Sequence, residues 1–368
     1  KNLTKGQSVS IPLTSSVTNT SSTQDKLVGN SYTIKIEPYT SGDTKAFFCK
    51  LHEPGPVLAQ YLIDSGNLWQ SGLEGDGYRY TGSGAVETDI NPDNFICFGT
   101  TDVSECTANQ DKYMYRVLGV FSDSNGDNHV KLIKYKQLIS TSWNSTRADV
   151  NWEDSTLYAS LNGSGFLTNE AYDYLQNTIW NNKIEIWTWS AVNTNTMIDK
   201  INNPTYDLTS PKGIYLNEMH VISNDNLCWN SDLSDLTTEG KAVNCNGGSW
   251  TTPSAKIGLM YASDYALSLG SSALALTSGE YSNRSLLKTS WMHSSNNDIA
   301  KDTTEWTIAN DGFSSYDWFA WLISDDGSVG PRISTRTSGV RPVFYLTSDV
   351  RITADGDGSL GNPFIISE

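Results

Sequence analysis

Near its C-terminus the chain reads Ser338-Gly339-Val340-Arg341-Pro342-Val343-Phe344-Tyr345-Leu346, an apolar run interrupted by an Arg-Pro pair. Proline has no backbone donor, so a strand holding Pro342 must lie at a sheet edge, begin there, or carry a bulge. Arginine cannot shed its charge, so a buried Arg341 needs acceptors or a carboxylate. The segment is therefore either a surface strand or part of a frame in which Arg341 acts as a clamp.

The chain has 368 residues, enough for one large domain or two ordinary ones. Hydrophobic residues make up 38%, but 12 Trp, 18 Tyr and 10 Phe supply bulky core material. Only 18% of residues are charged, and Asn, Ser, Thr and Gly take their place, which suits a loop-rich, strand-rich extracellular protein. A net charge of -16 opposes nucleic-acid phosphates and anionic lipid surfaces, and no Lys/Arg cluster offsets it. Nucleic acid is thus not an expected partner. No apolar run approaches the roughly 20 residues that cross a bilayer, so direct membrane insertion by this chain is not expected either. Lys1-Asn2-Leu3 leads straight into polar sequence, so a targeting or anchoring segment is expected upstream of residue 1.

The cysteines are informative by their spacing. Cys97 and Cys106 bracket "FGTTDVSE", and Cys228 and Cys245 bracket a polar loop rich in Asp, Thr and Gly. Each pair would close a short loop without a core of its own, where extracellular proteins place disulfides; the alternative is free buried thiols. No CxxC or HxxxH spacing supports zinc, and His52, His129, His220 and His293 are scattered. Cys49, in "KAFFCKL", is left over and reads as a small buried residue.

Residues 1–56 open with a Ser/Thr-rich stretch, followed by "SYTIKIEPY" and "KAFFCKL" as partner strands, a stalk or small accessory sheet. Beyond Pro54-Gly55-Pro56, Val57, Leu58, Tyr61 and Leu62 form one helical face. Strands are expected at "NFICFG", "MYRVLGVF" and "HVKLIKYK", the last two joined as a hairpin by "SDSNGDN". Short helices are expected at "WEDSTLYASLNG", stopped by Gly163, and at "NEAYDYLQNTI". "KIEIWTWSAV" alternates as a half-buried strand should, and "AKIGLMYASDYALS" reads as a buried strand entering a turn or short helix. The final third is a series of short strands. The whole is α+β: many short antiparallel strands, few short helices and long loops.

The terminal run contains a Trp-bearing strand, "DGSV" at Asp326–Val329, "GVRPVFYL" and "GDGSLGNPF". In this it resembles an uncharacterised family of bacterial surface domains, common in Gram-positive secreted and pilin-like proteins. "NFICFG", "YRVLGVF", "VKLIKY", "TLYASLNG" and "AKIGLMYASDYAL" fit the same pattern in the same order. The resemblance covers residues 57–368 and leaves residues 1–56 outside. It implies a C-type-lectin-like fold, related to that of formylglycine-generating enzymes, with a compact sheet carrying long loops. It also implies that Arg341 and Pro342 belong to the frame.

Candidate chemistry is sparse. Asp123, Asn125 and Asp127 imitate the start of a calcium loop, but Asn128 and Lys134 stand where Gly and a bidentate Glu are required. Asp355 and Asp357 lie in a Gly-rich loop that reads equally as a tight turn. No cofactor is expected, Ca2+ being the one ion these loops leave open. Glu53-Pro54-Gly55 and Trp229-Asn230-Ser231 only partly match the calcium tripeptides of sugar-binding C-type lectins. No nucleophile elbow or phosphate loop is present, and catalysis is not expected. In "YDWFAWLIS", Trp318 and Ala320 share one face while Phe319 and Trp321 share the other. One face is core, and the other is either buried too or a contact surface. The expected contact surface is Trp318, Trp321, Asp325, Asp326, Arg332 and Arg336. Its expected ligand is a glycan, a host protein or a neighbouring surface protein, pilus subunits included. The expected role is adhesion or recognition at the cell surface; the alternative is a structural, pilin-like self-assembling subunit, and a carbohydrate-active enzyme is the least favoured reading.

Overall fold

The computed structural model describes residues 33–41, 44–52, 55–70, 77–81, 92–123, 125–147, 151–163, 165–189, 191–192, 250–251, 253–271, 284–293, 302–311, 319–353 and 356–367. The chain divides into two compact units, Lys1–Gly55 and Pro56–Glu368. In the first, β1 (Thr33–Ser41) and β2 (Thr44–His52) pair antiparallel from Thr33–His52 to Ser41–Thr44. These are the partner strands expected from the sequence, and Cys49 stands opposite Ile36.

The second unit is mixed α and β, with several small sheets and few short helices. Its larger sheet contains β3 (Trp69–Gln70), β4 (Tyr78–Arg79), β6 (Met114–Ser122), β7 (Asn128–Lys134) and β17 (Val343–Tyr345), in the order β17-β7-β6-β4-β3. Two further strands branch from β6: β5 (Phe95–Cys97) pairs with it, and β18 (Phe364–Ile365) lies parallel to β5. The second sheet runs β15-β14-β13-β16-β8, from β8 (Ile139–Ser142), β13 (Glu305–Asp311), β14 (Phe319–Ile323), β15 (Val329–Ile333) and β16 (Thr337–Val340). Between β8 and β13 come two short ladders. β9 (Trp187–Thr188) pairs with β12 (Ser254–Ala255), and β10 (Ala191–Val192) with β11 (Trp250–Thr251).

The Arg-Pro pair sits where the chain leaves one sheet for the other. β16 ends at Val340 in the second sheet and β17 begins at Val343 in the first, so Arg341 and Pro342 are the whole connection. The neighbouring chain crosses alongside, from β7 to β8, and backbone bonds follow both. Lys134 N–H donates to the Pro342 carbonyl at 3.0 Å, and Leu138 N–H to that of Val340 at 2.8 Å. Proline is tolerated because its missing donor falls just before the strand begins. Gly339 leaves room in the same step for the Gln137 side chain, which a Cβ there would displace.

The helices are short and individually marginal, held by capping and packing rather than by length. α1 (Leu58–Asp64) buries Leu58, Ala59 and Leu62, and its first N–H donates to the Val350 carbonyl. α2 (Val103–Ala108) starts at Asp102, whose carboxylate accepts from Ser104 and Glu105 N–H, and leads into α3 (Gln110–Tyr113). α4 (Thr156–Asn162) starts at Ser155, which accepts from Tyr158 N–H, and it stops at Gly163 as the sequence indicated. The single helix expected over "NEAYDYLQNTI" is instead a 3-10 segment, Glu170–Gln176, followed by α5 (Thr178–Asn181). Tyr172 breaks the first and Asn177 caps the second. Among the described residues, α6 (Ala262–Leu267) and α7 (Arg284–Leu287) follow.

The β6–β7 pairing slips between Val117 and Gly119. There Tyr80 N–H takes the Leu118 carbonyl, and a Cβ on Gly119 would fall on the Tyr78 carbonyl oxygen. Gly119→Ala must therefore push β4 off the sheet. The expected loss is about 1–3 kcal/mol, as for overpacking elsewhere, measured by urea unfolding against wild type.

Candidate functional site

Arg341 is 1% exposed. Its Nε donates to Glu305 Oε1 at 2.8 Å and its Nη2 to the Met292 carbonyl at 2.6 Å. Glu305 begins β13 opposite Gly339 of the parallel strand β16, so strand register delivers the carboxylate to the guanidinium. Gln137 wedges in beside them, its Oε1 accepting from Asp302 N–H at 2.7 Å. Burial pushes the Glu305 carboxyl above its ordinary range even with Arg341 beside it, so the desolvation cost of the pair is large. The reading of this segment as a surface strand is excluded; it is a clamp inside the frame.

A second buried charge cluster was not legible in the sequence. Asp264, in α6, accepts Arg79 Nη1 at 2.8 Å on one oxygen and Lys131 Nζ at 2.8 Å on the other. Its Oδ2 also accepts Tyr261 N–H at 2.8 Å. Rings complete the cage: Lys131 Nζ lies 4.5 Å from the Tyr261 ring centre and Arg79 lies 4.7 Å from that of Phe121. Lys131 looks exposed in "HVKLIKYK" because lysine usually is, yet both faces of β7 are covered.

The predicted contact residues fall on one hairpin and its flanks. β14 and β15 pair from Phe319–Ile333 to Ile323–Val329, with Trp321 opposite Pro331. Trp321 is buried completely, as is its neighbour Ala320. Both faces of the strand are therefore covered there, and Trp321 offers no ring to a ligand; it belongs to the core. Trp318 lies outside the described residues. Asp325 is exposed at the hairpin tip, while Asp326 is spent on the turn, accepting from Ser328 N–H at 3.0 Å and Ser328 Oγ at 2.6 Å. Gly327, at φ 87°, supplies the left-handed residue that this turn needs. Arg332 on β15 and Arg336 in the following turn are both exposed. Among the described residues β15 is the outer strand of its sheet, so Asp325, Arg332 and Arg336 lie along one sheet edge and its two turns. This edge is the candidate recognition surface.

Cys97 and Cys106 form a disulfide, joining the end of β5 to α2. Cys228 and Cys245 lie outside the described residues. Closing so short a loop restricts the unfolded chain by about 2–3 kcal/mol. A Cys97→Ser/Cys106→Ser variant is expected to lose that much in a denaturant titration.

The calcium-like segment is a turn. Asp123 Oδ1 accepts from Asn125 N–H at 2.8 Å and Asp127 N–H at 2.9 Å, which commits the carboxylate to its own hairpin. Asp357 Oδ1 likewise accepts from Ser359 N–H at 2.9 Å, and Asp355 lies outside the described residues. Among the described residues, no group of three or more His, Cys, Asp or Glu is placed to hold a metal ion, and no helix is long and apolar enough to cross a membrane.

No known protein family, no curated protein and no solved structure matches the chain.

Proposed function

We propose that the protein is a recognition domain displayed on a bacterial cell surface or pilus, with a C-type-lectin-like fold over residues 57–368. On this reading it binds a glycan or a neighbouring or host protein and carries out no reaction. The observation that carries the reading is the contrast along β14 and β15. A strand buried on both faces supports an outer strand and turns with exposed Asp325, Arg332 and Arg336. A rigid frame behind an exposed charged edge costs little entropy on binding. The Cys97–Cys106 disulfide supports an extracellular setting.

The experiment is a glycan array and a surface-protein binding screen, comparing wild type with Arg332→Ala/Arg336→Ala. The double variant is expected to keep its melting temperature and to bind at least tenfold more weakly. Equal binding by the two proteins would remove this edge from the recognition surface, and silence toward both libraries would count against a recognition role.

A second reading, a self-assembling structural subunit, draws on the opposite edge of the same sheet. There β8 is the outer strand among the described residues and Ile139 is 48% exposed, a surface that another chain extends readily. Light scattering across a hundredfold range of concentration separates the two: assembly supports the subunit reading, and a constant monomer mass opposes it.

A further inference from the structure

Two buried guanidinium groups, those of Arg116 and Arg341, lie in the interior of the second unit. Arg116 in β6 pairs with Ile133, and Ile133 pairs with Val343. These residues form one row across the sheet, so their side chains point to the same face. Arg341 lies two positions before Val343, in the connection that leads into β17. Consecutive residues touch both groups: the Trp291 ring centre is 4.1 Å from the Arg116 guanidinium carbon, and the Met292 carbonyl accepts from Arg341.

Arg116 is wholly buried, stacked between the rings of Trp291 and Phe95, the latter 4.5 Å away. Its Nε donates to Asn94 Oδ1 at 2.8 Å and its Nη2 to the Pro92 carbonyl at 3.2 Å. Burial first, and then the charge of Arg341, press on the Arg116 cation. Arg341 uses Nε on Glu305 and Nη2 on Met292, while its buried Nη1 has no hydrogen-bond partner.

We propose that Arg341 Nη1 and the neighbouring charge of Arg116 form an internal binding site for a small monovalent anion of the size of chloride. An unpaired donor on a buried cation is expensive. A halide answers both the bare N–H and the repulsion between like charges, whereas water answers only the first. The other ionisable groups around the pair add no positive charge at neutral pH. Burial holds His293 below its ordinary range, with Nε2 on the Ser324 carbonyl. Tyr265 donates its hydroxyl to the Leu287 carbonyl at 2.6 Å. Glu305 repels an anion, and so does the Asp93 carboxylate, whose charge also acts on Arg116, so the site has built-in opponents.

The test uses the wild-type chain. At fixed ionic strength, replacing gluconate with chloride is expected to raise Tm by about 2–4 °C per tenfold increase in chloride. Glu305→Gln is expected to move the chloride midpoint down by tenfold or more. Crystals soaked in bromide should show an anomalous peak within hydrogen-bond distance of Nη1. No bromide peak there, or identical melting in the two salts, would overturn the proposal and leave a water molecule as the occupant.

Discussion

Replacing Asp264 by alanine is expected to cost about 5 kcal/mol or more, enough to leave the protein largely unfolded or insoluble. The reason is asymmetric. Asp264 accepts from both Arg79 and Lys131, and these cations and the carboxylate are all nearly inaccessible to solvent. Removing the carboxylate takes an ion-pair partner from two buried cations at once beneath Phe121, Tyr261 and Tyr345, whereas removing one cation leaves the other pair in place. Lys131→Met should therefore be far milder, about 1–2 kcal/mol, because Asp264 keeps Arg79 and the methionine fills the same apolar cage. Circular-dichroism melts of the two variants provide the check. An Asp264→Ala protein as stable as Lys131→Met would mean that water reaches the cluster.

Arg341→Ala is expected to cost about 3–5 kcal/mol, a fall in Tm on the order of 10 °C. Alanine removes the Glu305 partner and leaves its carboxylate buried against Gln137, with the Met292 carbonyl also losing a donor. The loss should be global rather than local. The Arg341–Pro342 connection and the adjoining residues 135–138 carry two neighbouring strands from one sheet to the next, and the clamp holds that crossing to β13.

What the sequence disclosed follows from local chemistry. The β6–β7 hairpin, the α1 face and the stop at Gly163 all depend on residues near one another in the chain, and all were legible. So was the Cys97–Cys106 bridge. Failures came where tertiary burial overrides periodicity. "KIEIWTWSAV" alternates, yet Ile184, Trp187 and Trp189 are buried while Ile186 is 61% exposed, so the apolar face switches parity within the segment. Lysines are usually exposed, but Lys131 and Lys134, on opposite faces of β7, are both buried, and Lys134 donates to the Lys112 carbonyl near the rings of Tyr115 and Tyr172. Arg341 announced that it needed a partner; nothing nearby named Glu305, which is brought in by pairing across 36 residues. Trp321 was half legible. Its pattern allowed either core or contact surface, and only the layers on both sides decide for core.

Arg341 and Glu305 act as one unit at the step between sheets, and a double-mutant cycle measures that directly. Arg341→Met and Glu305→Leu should each cost about 3–5 kcal/mol alone. Together they should cost much less than the sum, giving a coupling energy above roughly 2 kcal/mol, because an apolar pair removes both stranded charges at once. Single-variant costs that add to within about 0.5 kcal/mol would show two independent residues, and the clamp would be contradicted.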